Sequence, residues 1–216
     1  MPTTDAIKPD KAPLLKPVML PHLVLRDFLD EKTVAGLLDH ANSHRSEFYD
    51  TILRSGAVNQ VKRVSKATRD LGEYRDMLKK KILDLVPELI AQLRVTPIDS
   101  PKVELELVAH GDGAFYKRHI DTQKAFQRER IRVLSGVYYF HAQPKAFTGG
   151  ALRLYAIGDP AGQTFIDIEP VHNSLLVFPS WAPHEVMPVS CPSQRFMDSR
   201  FAINCWVNNK KPQTTA

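Results

Sequence analysis

Phe115-Tyr116-Lys117-Arg118-His119-Ile120-Asp121-Thr122 follows the turn Gly111-Asp112-Gly113 and the segment Lys102-Val103-Glu104-Leu105-Glu106-Leu107-Val108-Ala109-His110. In the earlier segment Val103, Leu105, Leu107 and Ala109 recur at the period of a half-buried strand. The glycines mark a tight turn, after which the chain is expected to re-enter a short strand. Residues two apart in a strand point to the same side, so His119 and Asp121 are expected to share one face. A His-x-Asp pair is a common coincidence in a chain with 8 histidines, and context has to decide its meaning.

That context lies farther along the chain. Leu175-Leu176-Val177-Phe178 is a continuous apolar run ended by Pro179, the pattern of a buried strand followed by a bend. Trp181-Ala182-Pro183 makes the bend, and His184 opens the next expected strand, His184 to Val189. Taken alone, His184 reads as an ordinary half-buried histidine. A third ligand from so distant a strand fits a closed sheet, which brings remote strands to one mouth. Two imidazoles and one carboxylate with coordination positions left open form the facial triad that suits non-heme Fe(II). After residue 102, strands recur at short intervals with turn signals between them, the mark of a sandwich or barrel.

The first half reads differently. Pro21 to Phe28 suggests a strand. Asp30 can cap a helix to about Asn42, with Val34, Leu37, Leu38 and Ala41 on its buried side. A second helical region starts near Gly72 and carries Tyr74, Met77, Leu78, Ile82 and Leu85 at helical spacing. Pro87 falls inside that pattern and predicts a kink or a fresh helix start. Ser55 to Arg69 is polar and basic. Residues 1–17 and 210–216 read as flexible tails around a single domain, 18–209.

At 216 residues the chain is long enough for one sizeable core. Its 43% hydrophobic and 25% charged content is ordinary for a soluble protein. No stretch has the apolar length of a membrane span, and the N-terminus lacks a secretory h-region. Cys191 and Cys205, one in a polar loop and one in an expected core strand, do not suggest a disulfide framework. Free thiols and a need for Fe(II) favour a reducing cytoplasm. The net charge of +5 is mild. Lys117, Arg118, Lys124, Arg128, Arg130 and Arg132 cluster around the His-x-Asp segment, which suits an acidic protein or a nucleic acid; a solvated loop is the plainer reading.

From about residue 103 to 208 the chain resembles the catalytic core of the 2-oxoglutarate- and Fe(II)-dependent dioxygenases. Within them it is most similar to the prolyl 4-hydroxylase-like group and its bacterial relatives of the hypoxia-sensing prolyl hydroxylases. The matching segments are Gly113 to Asp121, Val137-Tyr138-Tyr139-Phe140, Thr148-Gly149-Gly150-Ala151-Leu152-Arg153-Leu154-Tyr155, Ile166 to Pro170, Pro183-His184-Glu185-Val186 and Ser199 to Trp206. The resemblance implies a mainly β (α+β) fold, a double-stranded β-helix or distorted jelly roll over about 102–208, buttressed by N-terminal helices.

It also implies roles. His119, Asp121 and His184 would hold the iron and so carry catalysis. Arg200 would pair with the distal carboxylate of 2-oxoglutarate, with Tyr139 as a second donor, and Tyr116, Leu152, Val186, Asn204 and Trp206 would line the pocket. An Arg suits a carboxylate because its planar fork binds bidentately and keeps its charge. Arg195 is a rival for that role, and Tyr138, Tyr139 and Trp206 also read as plain core aromatics. His110 stands where hypoxia-type enzymes carry a tyrosine; its imidazole is expected to donate to the bound acid in that place, with a different arrangement of contacts around it. The implied reaction uses O2, Fe(II) and 2-oxoglutarate, with ascorbate as reductant, and hydroxylates a protein or small-molecule carbon. Asp121 argues against halogenation, since related halogenases replace that carboxylate. A nucleic-acid hydroxylase or demethylase, and a non-catalytic 2-oxoglutarate or oxygen sensor, are the alternatives. In the resembling enzymes a mobile hairpin over the active site occupies the region of Ser55 to Arg69.

Overall fold

A computed structural model describes residues 16–51, 53–55, 60–122 and 129–211. The expected tails up to residue 15 and from 212 onward, and Lys124 and Arg128 of the basic cluster, lie outside the described residues. The first half contributes β1 (Leu23–Arg26), α1 (Glu31–Ser43), β2 (Tyr49–Asp50), β3 (Leu53–Ser55), β4 (Gln60–Val64), β5 (Lys66–Thr68) and α2 (Tyr74–Leu93). The second half adds β6 (Lys102–His110), β7 (Phe115–His119), β8 (Arg130–Phe140), β9 (Thr148–Gly149), β10 (Leu152–Tyr155) and β11 (Phe165–Ile168). It ends with β12 (Ser174–Pro179), β13 (His184–Val186), β14 (Val189–Ser190) and β15 (Arg200–Lys210).

Asp30 caps α1: its Oδ1 accepts the Thr33 N–H at 2.9 Å and its Oδ2 accepts the Thr33 hydroxyl at 2.7 Å. α2 runs on through Pro87, so no fresh helix starts there, and it ends at Arg94, which adopts the left-handed region at φ 52°. Pro87 faces solvent and withholds one donor from the turn below. Leu78, Ile82, Val86, Leu89 and Leu93 are buried on both sides of it. At roughly 1.5–3 kcal/mol for each such side chain, their burial outweighs the ~3 kcal/mol proline penalty.

The strands form two principal antiparallel sheets, in the orders β1-β12-β8-β15-β6-β5-β2 and β11-β10-β13-β7-β4-β3. Period-two alternation divides the long strands between two cores. Leu107, Tyr138, Phe140, Leu175, Val177, Phe201 and Ile203 face the helices and join Leu37, Leu78 and Ile82. Their neighbours Val137, Tyr139, Leu176, Phe178 and Ala202 face the second sheet and meet Leu152 and Leu154. The fold is thus mainly β, a jelly-roll-like pair of sheets with helices covering one outer face.

Two expected strands end early. β7 stops at His119, so Asp121 lies just beyond it, its N–H donating to the Ser180 carbonyl at 2.9 Å. The expected strand from His184 to Val189 is split at Met187-Pro188, where proline lacks a ladder donor. Cys191, in a loop that reads as polar, is fully buried with Phe147 and Val189. Both cysteines are free.

Candidate active site

β13 and β7 lie side by side with His184 directly opposite His119. The rings stand 4.2 Å apart between centroids. The bend after β7 carries Asp121 back toward both: its Oδ1 is 3.8 Å from His119 Nε2 and its Oδ2 is 3.7 Å from His184 Nε2. One ligand atom from each of the three lies within 4.8 Å of the others.

Each group is held in the form a cation requires. His119 Nδ1 lies 2.8 Å from the Lys117 carbonyl, and His184 Nδ1 lies 2.9 Å from the Ala182 carbonyl. A carbonyl only accepts, so Nδ1 carries a proton in both rings and Nε2 is the nitrogen turned toward Asp121. Burial, and then the neighbouring His184, hold the His119 imidazole below its ordinary pKa, so it stays neutral. Burial alone would raise the Asp121 carboxyl. The group nevertheless lies below the usual carboxylate range, its charged form accepting the Ser135 hydroxyl at 2.7 Å and the Trp206 Nε1–H at 2.9 Å.

These residues open into a cavity of roughly 420 Å³, whose walls also include Tyr116, Leu152, Val186, Asn204, Trp206, His110 and Arg200. Tyr116 stacks on His119 with centroids 3.5 Å apart. Arg200, Ala202, Asn204 and Trp206 share the inner face of β15, opposite His110, Val108, Glu106 and Glu104 of β6. Arg200 is 1% exposed, and its guanidinium lies 4.8 Å from the centre of the Tyr139 ring. Arg200 Nε, Arg200 Nη2 and the Tyr139 hydroxyl are buried without a hydrogen-bond partner. Such groups are strongly disfavoured unless something supplies an acceptor. Gly150, at φ +71°, lets the backbone reach this arginine: a Cβ there would sit 2.6 Å from Arg200 Cδ.

Arg195 is not part of this arrangement. Its side chain is 75% exposed and bonded to Asp198 at 2.8 Å. The basic cluster also disperses among its described members. Lys117 reaches Glu185 at 3.9 Å, Arg118 lies over Tyr155, and Arg130 bonds the Ser100 and Asn208 carbonyls. Only Arg132 of those lines the cavity, stacked 3.7 Å over Trp206 and paired with Glu104. Sequence reasoning passed over Ser135, Arg63 and Glu106. Glu104 and Glu106, polar at alternate positions of a half-buried strand, were the available signal. A second group, His44, Glu47 and Asp70, also brings ligand atoms within 4.8 Å, but at the surface beyond α1 and with Glu47 exposed.

Residues 105–208 match the family model of the 2OG-Fe(II) oxygenase superfamily. An uncharacterized PKHD-type hydroxylase of Synechocystis sp. is 39% identical over 142 residues, which is 62% of this chain and 45% of that relative. The chain therefore spans less than half the length of this curated relative. A prolyl-4-hydroxylase of Pseudomonas putida superposes with a TM-score of 0.61 at 24% identity, covering 88% of this chain and 93% of its own. A prolyl hydroxylase of Trichoplax adhaerens, solved with a peptide fragment of the hypoxia inducible factor oxygen degradation domain, gives 0.61 at 25% identity over 86% and 82%. The fold, the cavity and these likenesses agree: residues 105–208 match the 2OG-Fe(II) oxygenase superfamily, and the chain is similar to prolyl hydroxylases.

Proposed function

We propose that the protein is an Fe(II)- and 2-oxoglutarate-dependent dioxygenase that hydroxylates a substrate carbon, with a protein prolyl residue as the first candidate. Oxidative decarboxylation of 2-oxoglutarate to succinate and CO2 is coupled to that step. The observation that carries this reading is the set of buried donors without partners, Arg200 Nε, Arg200 Nη2 and the Tyr139 hydroxyl. Arg200 lines the same cavity as His119, Asp121 and His184. A dicarboxylate fits that pair of features, with one end on the guanidinium and the other toward the metal.

His119 Nε2, the Asp121 carboxylate and His184 Nε2 would hold Fe(II), a donor set that suits this metal in oxygenases. Bound Fe(II) and 2-oxoglutarate supply the activation of O2. The chain's own residues orient and exclude. Ser135 and Trp206 keep Asp121 ionised and aimed, and the Lys117 and Ala182 carbonyls fix both imidazole tautomers. Leu152, Val137 and Val186 form the apolar wall that limits water. In this reading the two sheets are a distorted double-stranded β-helix. Ascorbate as reductant and a reducing cytoplasmic setting belong to the same proposal, and the two free cysteines support it.

Purified protein supplied with Fe(II), 2-oxoglutarate and ascorbate should release succinate. N-oxalylglycine, which imitates the co-substrate but is not decarboxylated, should stop it. Turnover indifferent to chelators and to that analogue would remove this chemistry. Tight 2-oxoglutarate binding with no succinate under any substrate would instead indicate a sensor.

A further inference from the structure

β6 is paired with β15 along its whole length, from His110 opposite Arg200 to Lys102 opposite Asn208. Its other edge is covered only in part. β5 pairs with it as far as Thr68 opposite Leu107 and then leaves. From Lys102 to Glu106 that edge has no neighbouring strand among the described residues. An uncovered strand edge presents main-chain donors and acceptors that seek partners. This edge borders the candidate active site, because Val103, Glu104, Leu105 and Glu106 line the same cavity as His119, Asp121 and His184.

Cations gather where the edge opens. Arg69 stands where β5 departs, and Arg75 and Lys79 lie one turn apart on α2; all three line this cavity. The nearby carboxylates do not neutralise them. Glu106 is engaged by Arg63 at 3.2 Å and Glu104 by Arg132 at 3.0 Å. Lys79 has only Asp76, at 4.0 Å. Arg69 and Arg75 have no ion-pair or side-chain hydrogen-bond partner among the described residues, and Arg75 acts on Asp70 only at longer range.

We infer that this groove binds an extended acidic peptide, whose main chain adds to the β6 edge along Lys102–Glu106 and whose Asp or Glu side chains meet Arg69, Arg75 and Lys79. The inference rests on the dioxygenase reading, because the peptide delivers its oxidised residue to the same cavity. Strand addition takes its affinity from main-chain hydrogen bonds and its selectivity from side chains placed at alternate positions. A nucleic-acid strand would satisfy the cations but has no peptide backbone to complete the edge. A small acid would leave the edge unmet. The two unpaired arginines, with Lys79 beside them, supply the selectivity: like-charge peptides are repelled and opposite-charge peptides are steered in.

The test uses wild-type protein loaded with Mn(II) and N-oxalylglycine, and labelled short peptides with a central proline flanked by Asp and Glu or, in the control, by Lys. The acidic peptide should bind about tenfold more tightly or better, and added salt should weaken it. The double variant Arg69→Glu, Arg75→Glu should lose about tenfold in affinity for the acidic peptide. N-methylation of that peptide's main chain should weaken it as well, since it removes the strand donors. Equal binding of acidic and basic peptides, indifference to the charge reversal or to N-methylation, or preferential binding of a single-stranded oligonucleotide would overturn the inference. Calorimetric binding of Mn(II) and N-oxalylglycine to the same wild-type sample separates the two levels. If they bind and the peptides fail, the peptide groove alone is wrong; if they do not bind, the dioxygenase reading falls with it.

Discussion

Nη1 of Arg200 lies 3.1 Å from Nδ1 of His110, and both side chains are buried. A guanidinium can only donate, so the imidazole accepts at Nδ1 and is neutral, with its proton on Nε2. Burial, followed by the charges of Arg200 and Arg63, holds the His110 pKa well below its ordinary value. His110 therefore steadies the arginine through Nδ1 while lining the same cavity.

This relationship has a pH signature. The folded pKa of His110 lies below the unfolded value of about 6.5, so the unfolded chain takes up the proton first as pH falls. The corresponding stability is complete above about pH 6.5 and declines below it. His110→Gln keeps an acceptor but cannot titrate. Its melting temperature should fall less steeply than that of the wild type between about pH 6.5 and 5. Parallel slopes would show that His110 is not neutral in the folded protein.

Arg200 and Arg195 should separate cleanly as candidate anchors for 2-oxoglutarate. Removing one partner of a buried charge pair typically costs roughly 3–5 kcal/mol, whereas Arg195 is exposed and already paired with Asp198. Arg200→Ala is expected to raise the 2-oxoglutarate requirement by orders of magnitude and Arg195→Ala hardly at all. Titration of succinate release against 2-oxoglutarate decides, and an equal or reversed ranking would transfer the role to the loop.

His119→Ala and His184→Ala should each abolish stoichiometric Fe(II) binding and 2-oxoglutarate turnover, since two protein ligands remain from three. Metal content after dialysis provides the direct measurement. A variant that keeps near-normal iron and turnover takes its residue out of the site.

The partners of Asp121 should matter in a graded way. Ser135→Ala and Trp206→Phe each delete a hydrogen bond to Asp121 Oδ2. Groups that orient a metal ligand typically contribute about 10- to 100-fold in affinity or activity. Each variant should therefore bind Fe(II) more weakly while melting within a few degrees of wild type. Unchanged affinity in both would show that Asp121 is positioned by its backbone alone.

Pro87→Ala should stabilise the protein. Alanine restores a donor in the middle of α2 at an exposed position. The helix-interior penalty of proline is about 3 kcal/mol, offset in part by up to ~1 kcal/mol from the stiffer unfolded chain. A gain of about 1–2 kcal/mol in urea unfolding, with an unchanged slope, is expected. A loss would mean that the proline ring packs against something its exposure does not suggest.

Local period carries the legible part of this molecule. Alternation along Lys102–His110, and the inner parity of Arg200, Asn204 and Trp206 on β15, follow from strand geometry, which a sequence displays residue by residue. The Asp30 cap is legible for the same reason, since cap and N–H are three residues apart. His119, Asp121, His184 and Arg200 are common residue types and stand out only through the family resemblance of the segments that carry them; the structure gathers all four around one cavity. Long-range pairing lies outside the reach of local period. Asp121 leaves its strand because the Ser180 carbonyl takes its N–H, and α2 survives Pro87 because apolar partners from other elements hold both halves. Arg200 rather than Arg195 meets the cavity because β15 is pinned between β6 and β8. Which cations find a carboxylate was equally invisible: Arg63 meets Glu106, 43 positions away, while Arg69 and Arg75 pair with none among the described residues. Composition and spacing determine which chemistry this chain is able to perform; register between distant strands, set by the burial of two cores at once, determines where it is performed.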